Sequence, residues 1–285
     1  MTAGKHLLPQ VERFFKANLH THSTYCDGKD TLEETILTAI DKGFDSVGFS
    51  GHSYMYFAED HSMSIPGTEE YKREVMRLKE KYAGKIEIFL GLEFEMYSKV
   101  DLSGYEYLIG SSHYFDFGNR IVGFDRSAEV VKGVIDECFG GDGMKYAKEF
   151  YRNLERLPEY GDFDILAHFD LIAKHAETHD FFDMESDEYK EYAVRAAEAL
   201  AGKIPYFEVN TGAIARGYRT APYPTAFLMK EMKRLGFKPL ISSDCHNRQD
   251  LDCAFDLAER MLKECGFTER YVLTKDGFAA VPLEG

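Results

Sequence analysis

Seven short apolar runs alternate with amphipathic stretches along this chain, and that alternation is what most limits the folds open to it. The runs Ala17–His20, Asp45–Ser50, Lys85–Glu93, Glu106–Ser111, Asp164–His168, Tyr206–Asn210 and Lys238–Ser243 read as strands. Helical spacing marks Thr31–Lys42, Thr68–Tyr82, Ser127–Phe139, Met144–Leu157, Asp187–Ala201, Pro224–Leu235 and Leu251–Cys265. The first of these has apolar Leu32, Ile36, Leu37, Ala39 and Ile40, with Asp30 or Thr31 as N-cap and Gly43 as terminator. Glu95–Gly104 carries only a short helical signal. Strands alternating with helices pair in parallel, so seven of them predict a barrel or a doubly wound sheet. Gly140–Gly143 lies between helical patterns with strands of the same series beyond it, which reads as a surface loop within one domain spanning residues 1–285.

Histidine placement adds chemistry to this frame. His20 and His22 follow the first strand, His52 the second, His113 the fourth, His168 the fifth and His246 the seventh. The third strand ends in Glu93, and the seventh adds Asp244. In parallel α/β barrels the loops at the C-terminal ends of the strands build the site, so these residues converge there. Imidazoles and carboxylates gathered in one cavity repel or stay unpaired unless a cation holds them, and a metal cluster is the economical reading. His6, His61, His175 and His179 read as surface or satisfied core residues.

Composition narrows the partners. The net charge is −15, and no Lys/Arg-rich block exists to displace the counterions of a nucleic acid, which counts against such a partner. A small anionic substrate is still compatible, because bound cations reverse the local potential. The five cysteines are odd in number and form no CxxC pair, as expected of reduced thiols in a cytoplasm. No apolar run is long enough to cross a bilayer, and the first residues lack the apolar core of a signal peptide. A soluble cytoplasmic protein is the expectation.

His20-Thr21-His22-Ser23 with Cys26-Asp27-Gly28, then Gly51-His52-Ser53, Gly91-Leu92-Glu93, Gly110-Ser111-Ser112-His113, Leu166-Ala167-His168-Phe169-Asp170 and Ser242-Ser243-Asp244-Cys245-His246 occur in the order of the PHP (polymerase and histidinol phosphatase) superfamily. The chain resembles that superfamily over about residues 15–265, and within it is most similar to the monofunctional histidinol-phosphate phosphatases. The resemblance implies a distorted (β/α)7 barrel, akin to a TIM barrel, with a trinuclear zinc, iron or manganese site at the C-terminal ends of the strands. Matched position by position, it implies that His20, His22, Glu93 and Asp244 hold the first ion. Glu93 bridges to a second, completed by His113 and His168. Asp27, His52 and His246 take the third. Aspartate stands at position 27 where many members have histidine, and Gly51 where many have aspartate, leaving His52 without a known orienting partner. Glu95 shares the strand parity of Glu93 and is the alternative bridge.

The implied reaction is hydrolysis of L-histidinol phosphate, with Glu93, Asp244 and Arg216 in catalytic roles. A transferred phosphoryl group needs fixed cationic donors on its oxygens. Candidates are Arg216 and Arg219 after the sixth strand and Lys174 after the fifth, the family's loops supplying basic phosphate ligands there. The sixth strand contributes no metal ligand, which leaves Arg216 free for substrate. Cys26 and Cys245 adjoin ligand positions, but neither begins a C-x5-R phosphate loop, and both read as small buried thiols. Gly140–Gly143 is not followed by the Gly-Lys-Ser/Thr of a nucleotide-binding loop. A phosphoesterase acting on a nucleotide, sugar phosphate or phosphotyrosine is the nearest alternative, a polymerase-associated exonuclease a weaker one, and a metal-binding scaffold without turnover the remaining class.

Overall fold

A computed structural model describes residues 15–283, and His6 lies outside them. The alternation resolves into a barrel. Seven parallel strands, β1 (Ala17–Asn18), β2 (Ser46–Phe49), β3 (Glu87–Glu95), β4 (Tyr107–Ser111), β5 (Ile165–Leu166), β6 (Tyr206–Asn210) and β7 (Lys238–Ser242), pair in sequence order. The first and last strands meet at their C-terminal ends, where Thr21 bridges Cys245 and the His22 N–H donates to the Cys245 carbonyl at 2.9 Å. Asn18 completes the seam, donating to Ser243 Oγ at 2.6 Å. That closure turns the sheet into a barrel rather than a doubly wound layer.

Side-chain alternation sorts the two faces. On β3, Ile88, Leu90, Leu92 and Phe94 face the surrounding helices, while Phe89 joins Leu19, Tyr107, Ile109, Ile165, Ala167, Tyr206 and Leu240 in a separate inner cluster. Tyr107 dictates two glycines. A Cβ at Gly91 would sit 2.2 Å from the Tyr107 ring, and one at Gly48 2.3 Å from its hydroxyl, which donates to the Leu19 carbonyl at 2.5 Å. The same alternation aims Glu93, Glu95, Glu208 and Asn210 into the upper half of the barrel, where all four are buried.

The helices are α1 (Leu32–Asp41), α2 (Ile65–Lys81), α3 (Ala128–Phe139), α4 (Gly143–Glu155), α5 (Asp187–Leu200), α6 (Gly212–Ala215), α7 (Ala226–Arg234) and α8 (Phe255–Glu264). Thr31, not Asp30, caps α1, forming a capping box with Glu34. Helix α2 starts earlier than its periodicity predicts, because Ser64 accepts from the Gly67 N–H and Pro66 falls in the first turn, where proline is tolerated. Helix α8 starts later, after Ala254 takes a left-handed conformation at φ 55°. No helix forms between β3 and β4. Gly140, at φ 65°, ends α3, so the expected loop is a turn over residues 140–142, and Gly143 already opens α4.

Two hairpins lie outside the predicted series. One, Tyr114–Asp116 with Ile121–Gly123, follows β4 directly. The other, Glu269–Thr274 with Gly277–Pro282, plugs the N-terminal mouth of the barrel. Its Leu273 enters the inner cluster, Val272 and Val281 pack on Ala17, and Phe278 stacks on Tyr206 with ring centroids 4.1 Å apart. Among the described residues no helix is long and apolar enough to cross a membrane.

Candidate metal centre

The floor of the open end is built by β1, β3 and β7. His20 and His22 leave the ladder just after β1, Glu93 and Glu95 are the last inward positions of β3, and Asp244 follows β7. Asp244 adopts φ 47°, a left-handed conformation unusual for a residue with a side chain, as the chain turns back over the barrel. The loops after β2, β4 and β5 add His52, His113 and His168.

Three adjoining groups result, with donor atoms within 4.8 Å of one another in each: His20, His22 and Asp244; Glu93, His113 and His168; and His22, Asp27, His52 and His246. Together they contain all nine residues expected from the sequence. Glu93 lies between them. Its Oε2 is 3.3 Å from His20 Nε2 and 3.5 Å from His22 Nε2, while Oε1 is 3.2 Å from His168 Nε2 and 3.7 Å from His113 Nε2. His22 is likewise shared, with Nε2 3.2 Å from Asp244 and Nδ1 3.6 Å from Asp27. His246 Nε2 lies 3.3 Å from Asp27, and His52 Nδ1 lies 2.8 Å from Glu93 Oε2.

The donor set suits cations. Buried His20 Nε2, His22 Nε2, Asp27 Oδ1 and Glu93 Oε2 have no hydrogen-bond partner, an arrangement that costs free energy unless a cation fills the space they face. Burial, helped by His246 and His52, lowers His22 to about 3, so it stays neutral with a free lone pair. Burial opposes ionisation of Glu93, yet His52 and His20 hold it well below the usual carboxylate range. Asp244 is held low against burial by Arg216 and His20.

Glu95 stands behind the cluster. Its Oε2 lies 2.8 Å from His113 Nδ1 and accepts from the His113 backbone N–H at 3.0 Å; burial alone would lower His113, but this contact together with the charges of Glu93 and Asp125 raises it to about 9. Glu208 occupies the matching place behind His20, 2.8 Å from Nδ1. The sequence reading missed it. The available signal was a charged residue inside an otherwise apolar strand, in phase with Asn210.

The basic candidates divide. Arg216 is tied to a ligand position: Nη1 donates to the Asp244 carbonyl and Nη2 to Asp244 Oδ2, each at 3.0 Å, with His246 Nδ1 3.2 Å from Nη1. Arg216 is therefore not reserved for substrate, because the loop after β6 folds onto the end of β7. Lys174 donates to the Asp125 carbonyl and lies 4.7 Å over the Tyr218 ring. Arg219 is buried over Tyr223, its Nε and Nη1 without hydrogen-bond partners and Glu177 3.9 Å from Nε. Cys26 Sγ is 3.5 Å from His22 Nδ1, and burial pushes the Cys245 thiol up to about 12. Outside the cluster, His61 is half-buried beside Asp60, His175 Nε2 lies 2.7 Å from the Arg126 carbonyl, and His179 contacts Thr178.

Residues 18–212 match the model of the PHP domain family. A probable histidinol-phosphatase of Schizosaccharomyces pombe is 26% identical over 291 residues, covering 90% of this chain and 89% of its own length. One from Deinococcus radiodurans is 24% identical over 258 residues, covering 87% and 92%. The structure of a Lactococcus lactis histidinol phosphate phosphatase, complexed with zinc, L-histidinol and phosphate, superposes with a TM-score of 0.70 at 21% identity, covering 92% of this chain and 98% of that one. At that identity the likeness speaks for the fold alone.

Proposed function

The chain belongs to the PHP domain family, and from that premise we propose that it is a metal-dependent phosphomonoesterase hydrolysing L-histidinol phosphate to L-histidinol and phosphate. The observation that carries the reading is Glu93 set between the groups, with one carboxylate oxygen toward His20 and His22 and the other toward His113 and His168. The histidinol-phosphatase names of relatives matching most of both chains support the choice of ester.

His20, His22, Glu93 and Asp244 would hold one divalent ion, Glu93, His113 and His168 a second, and Asp27, His52 and His246, with His22 beside them, a third. Zinc, iron and manganese all suit imidazole and carboxylate donors. Ions bound there supply Lewis acidity and charge neutralisation for attack of water on a phosphoryl group. The chain supplies orientation and countercharge. Glu93 fixes the separation of two groups through its two oxygens. Arg216 holds Asp244 through Nη1 and Nη2, and its fixed guanidinium charge beside the cluster would stabilise a phosphoryl oxygen. Arg219, whose Nε and Nη1 lack hydrogen-bond partners, would be the second candidate donor for the substrate. Lys174 is engaged by Asp125 and contributes its charge to the rim.

The test compares kcat/KM for L-histidinol phosphate, a nucleoside monophosphate, a sugar phosphate and phosphotyrosine on protein of measured metal content. L-Histidinol phosphate should lead, with three ions per chain, and a strong chelator should abolish turnover. Preference for another ester would overturn the substrate, and full activity with at most one ion after chelation would overturn the metal reading.

A further inference from the structure

We propose that Glu208 positions the cluster, holding the His20 ring with its proton on Nδ1 and its Nε2 lone pair turned into the site. This rests on the metal reading above. Glu208 is buried midway along β6, on its inward face, in the strand that offers no ligand of its own. Four donors surround its two oxygens. Oε1 accepts from the His168 backbone N–H at 2.7 Å and from Asn210 Nδ2 at 2.8 Å. Oε2 accepts from Ser242 Oγ at 2.6 Å and lies 2.8 Å from His20 Nδ1.

A backbone N–H and an amide nitrogen can only donate, so Oε1 is committed as an acceptor. With Ser242 also donating, a lone pair on His20 Nδ1 would meet an oxygen lone pair at hydrogen-bond distance, whereas an N–H there completes the set. A proton therefore belongs on Nδ1, and the atom left to face an ion is Nε2, the buried His20 atom without a hydrogen-bond partner, 3.3 Å from Glu93 and 3.6 Å from Asp244. Through the His168 N–H the same carboxylate sets the start of the loop that carries His168. One side chain on β6 thus orients ligands that arrive from β1 and β5 and serve two different groups. A carboxylate on the far nitrogen of a ligating histidine fixes ring and tautomer and raises ligand basicity.

Glu208→Gln keeps the shape but replaces one acceptor by a donor. Facing His20, the amide drives the ring proton onto Nε2; facing His168, it sets two donors against each other. Zinc affinity, measured by competition with a chromophoric chelator, should fall about 10- to 100-fold. In the zinc-loaded wild type, proton–nitrogen correlation spectra should show His20 protonated on Nδ1, with that proton protected from solvent, and the signal should be lost or shifted in the variant. Wild-type zinc affinity in a folded Glu208→Gln protein overturns the proposal. If the variant does not fold, the wild-type spectrum decides: a His20 proton on Nε2 overturns it equally. Failure of the wild type to bind zinc at all would instead overturn the metal reading.

Discussion

Replacing Arg216 with alanine removes two 3.0 Å hydrogen bonds to Asp244 and a 3.2 Å contact with His246, so it acts on two properties that can be measured apart. The first is metal affinity. Asp244 turns into the cluster from a left-handed backbone, and the guanidinium holds both its carbonyl and its carboxylate. Losing a partner that orients a ligand weakens metal binding by about 10- to 100-fold. The second is transition-state stabilisation. Removing one preorganised donor from a developing anionic charge costs about 2.7–4 kcal/mol, or about 100- to 1000-fold in rate. The assay titrates manganese or zinc into metal-free variant and then measures kcat/KM on L-histidinol phosphate at saturating metal. The expected outcome is a right-shifted metal titration and a 100- to 1000-fold deficit that persists at saturation. Arg216→Lys should recover part of the deficit, since a point charge lacks the planar fork. Turnover within threefold of wild type at saturating metal would refute the role toward phosphate and leave Arg219 or Lys174 to supply it.

Glu93→Ala should be the most damaging single ligand change, losing metal from two groups, and elemental analysis together with kcat/KM checks it; an inactive Glu95→Ala beside an active Glu93→Ala would move the bridge to Glu95. Strong chelation should lower Tm as well as activity, because ligand at 100 times Kd stabilises the folded state by about 2.7 kcal/mol. The Cys245 thiol, raised by burial from its ordinary 9 to about 12, is protonated at pH 8, so iodoacetamide should leave it unmodified in the native protein while reacting after unfolding. Leu273→Ala, in the plug at the far end of the barrel, should cost about 2–5 kcal/mol in urea unfolding yet leave kcat/KM unchanged below the transition.

Much of the fold was legible because a parallel barrel writes itself as short buried strands punctuated by amphipathic helices, and its site falls at one end of every strand. That regularity let His20, Glu93, His168 and Asp244 be read as neighbours although they stand at the ends of separate strands. The Glu269–Thr274 and Gly277–Pro282 hairpin escaped notice since it follows the last predicted helix, outside the series of strands and helices. Glu95 is the instructive case. Its parity with Glu93 marks it as an inward position, but only the fold shows that its oxygen meets the Nδ1 of His113 and not the space between groups.

What the sequence determined by itself is the kind of donor at each strand end and the period that brings those ends together, since both are local properties of residue type and spacing. What only the tertiary structure decided is which polar group stands behind each donor. Glu208 and His20 are 188 residues apart, on β6 and just after β1, and meet only across the interior of the barrel, while Arg216 and Asp244 are 28 apart, beyond the ends of β6 and β7, which pair side by side. A hydrogen bond depends on distance and direction to within a few tenths of an ångström, and no pattern along the chain encodes that until burial has packed the strands around Tyr107.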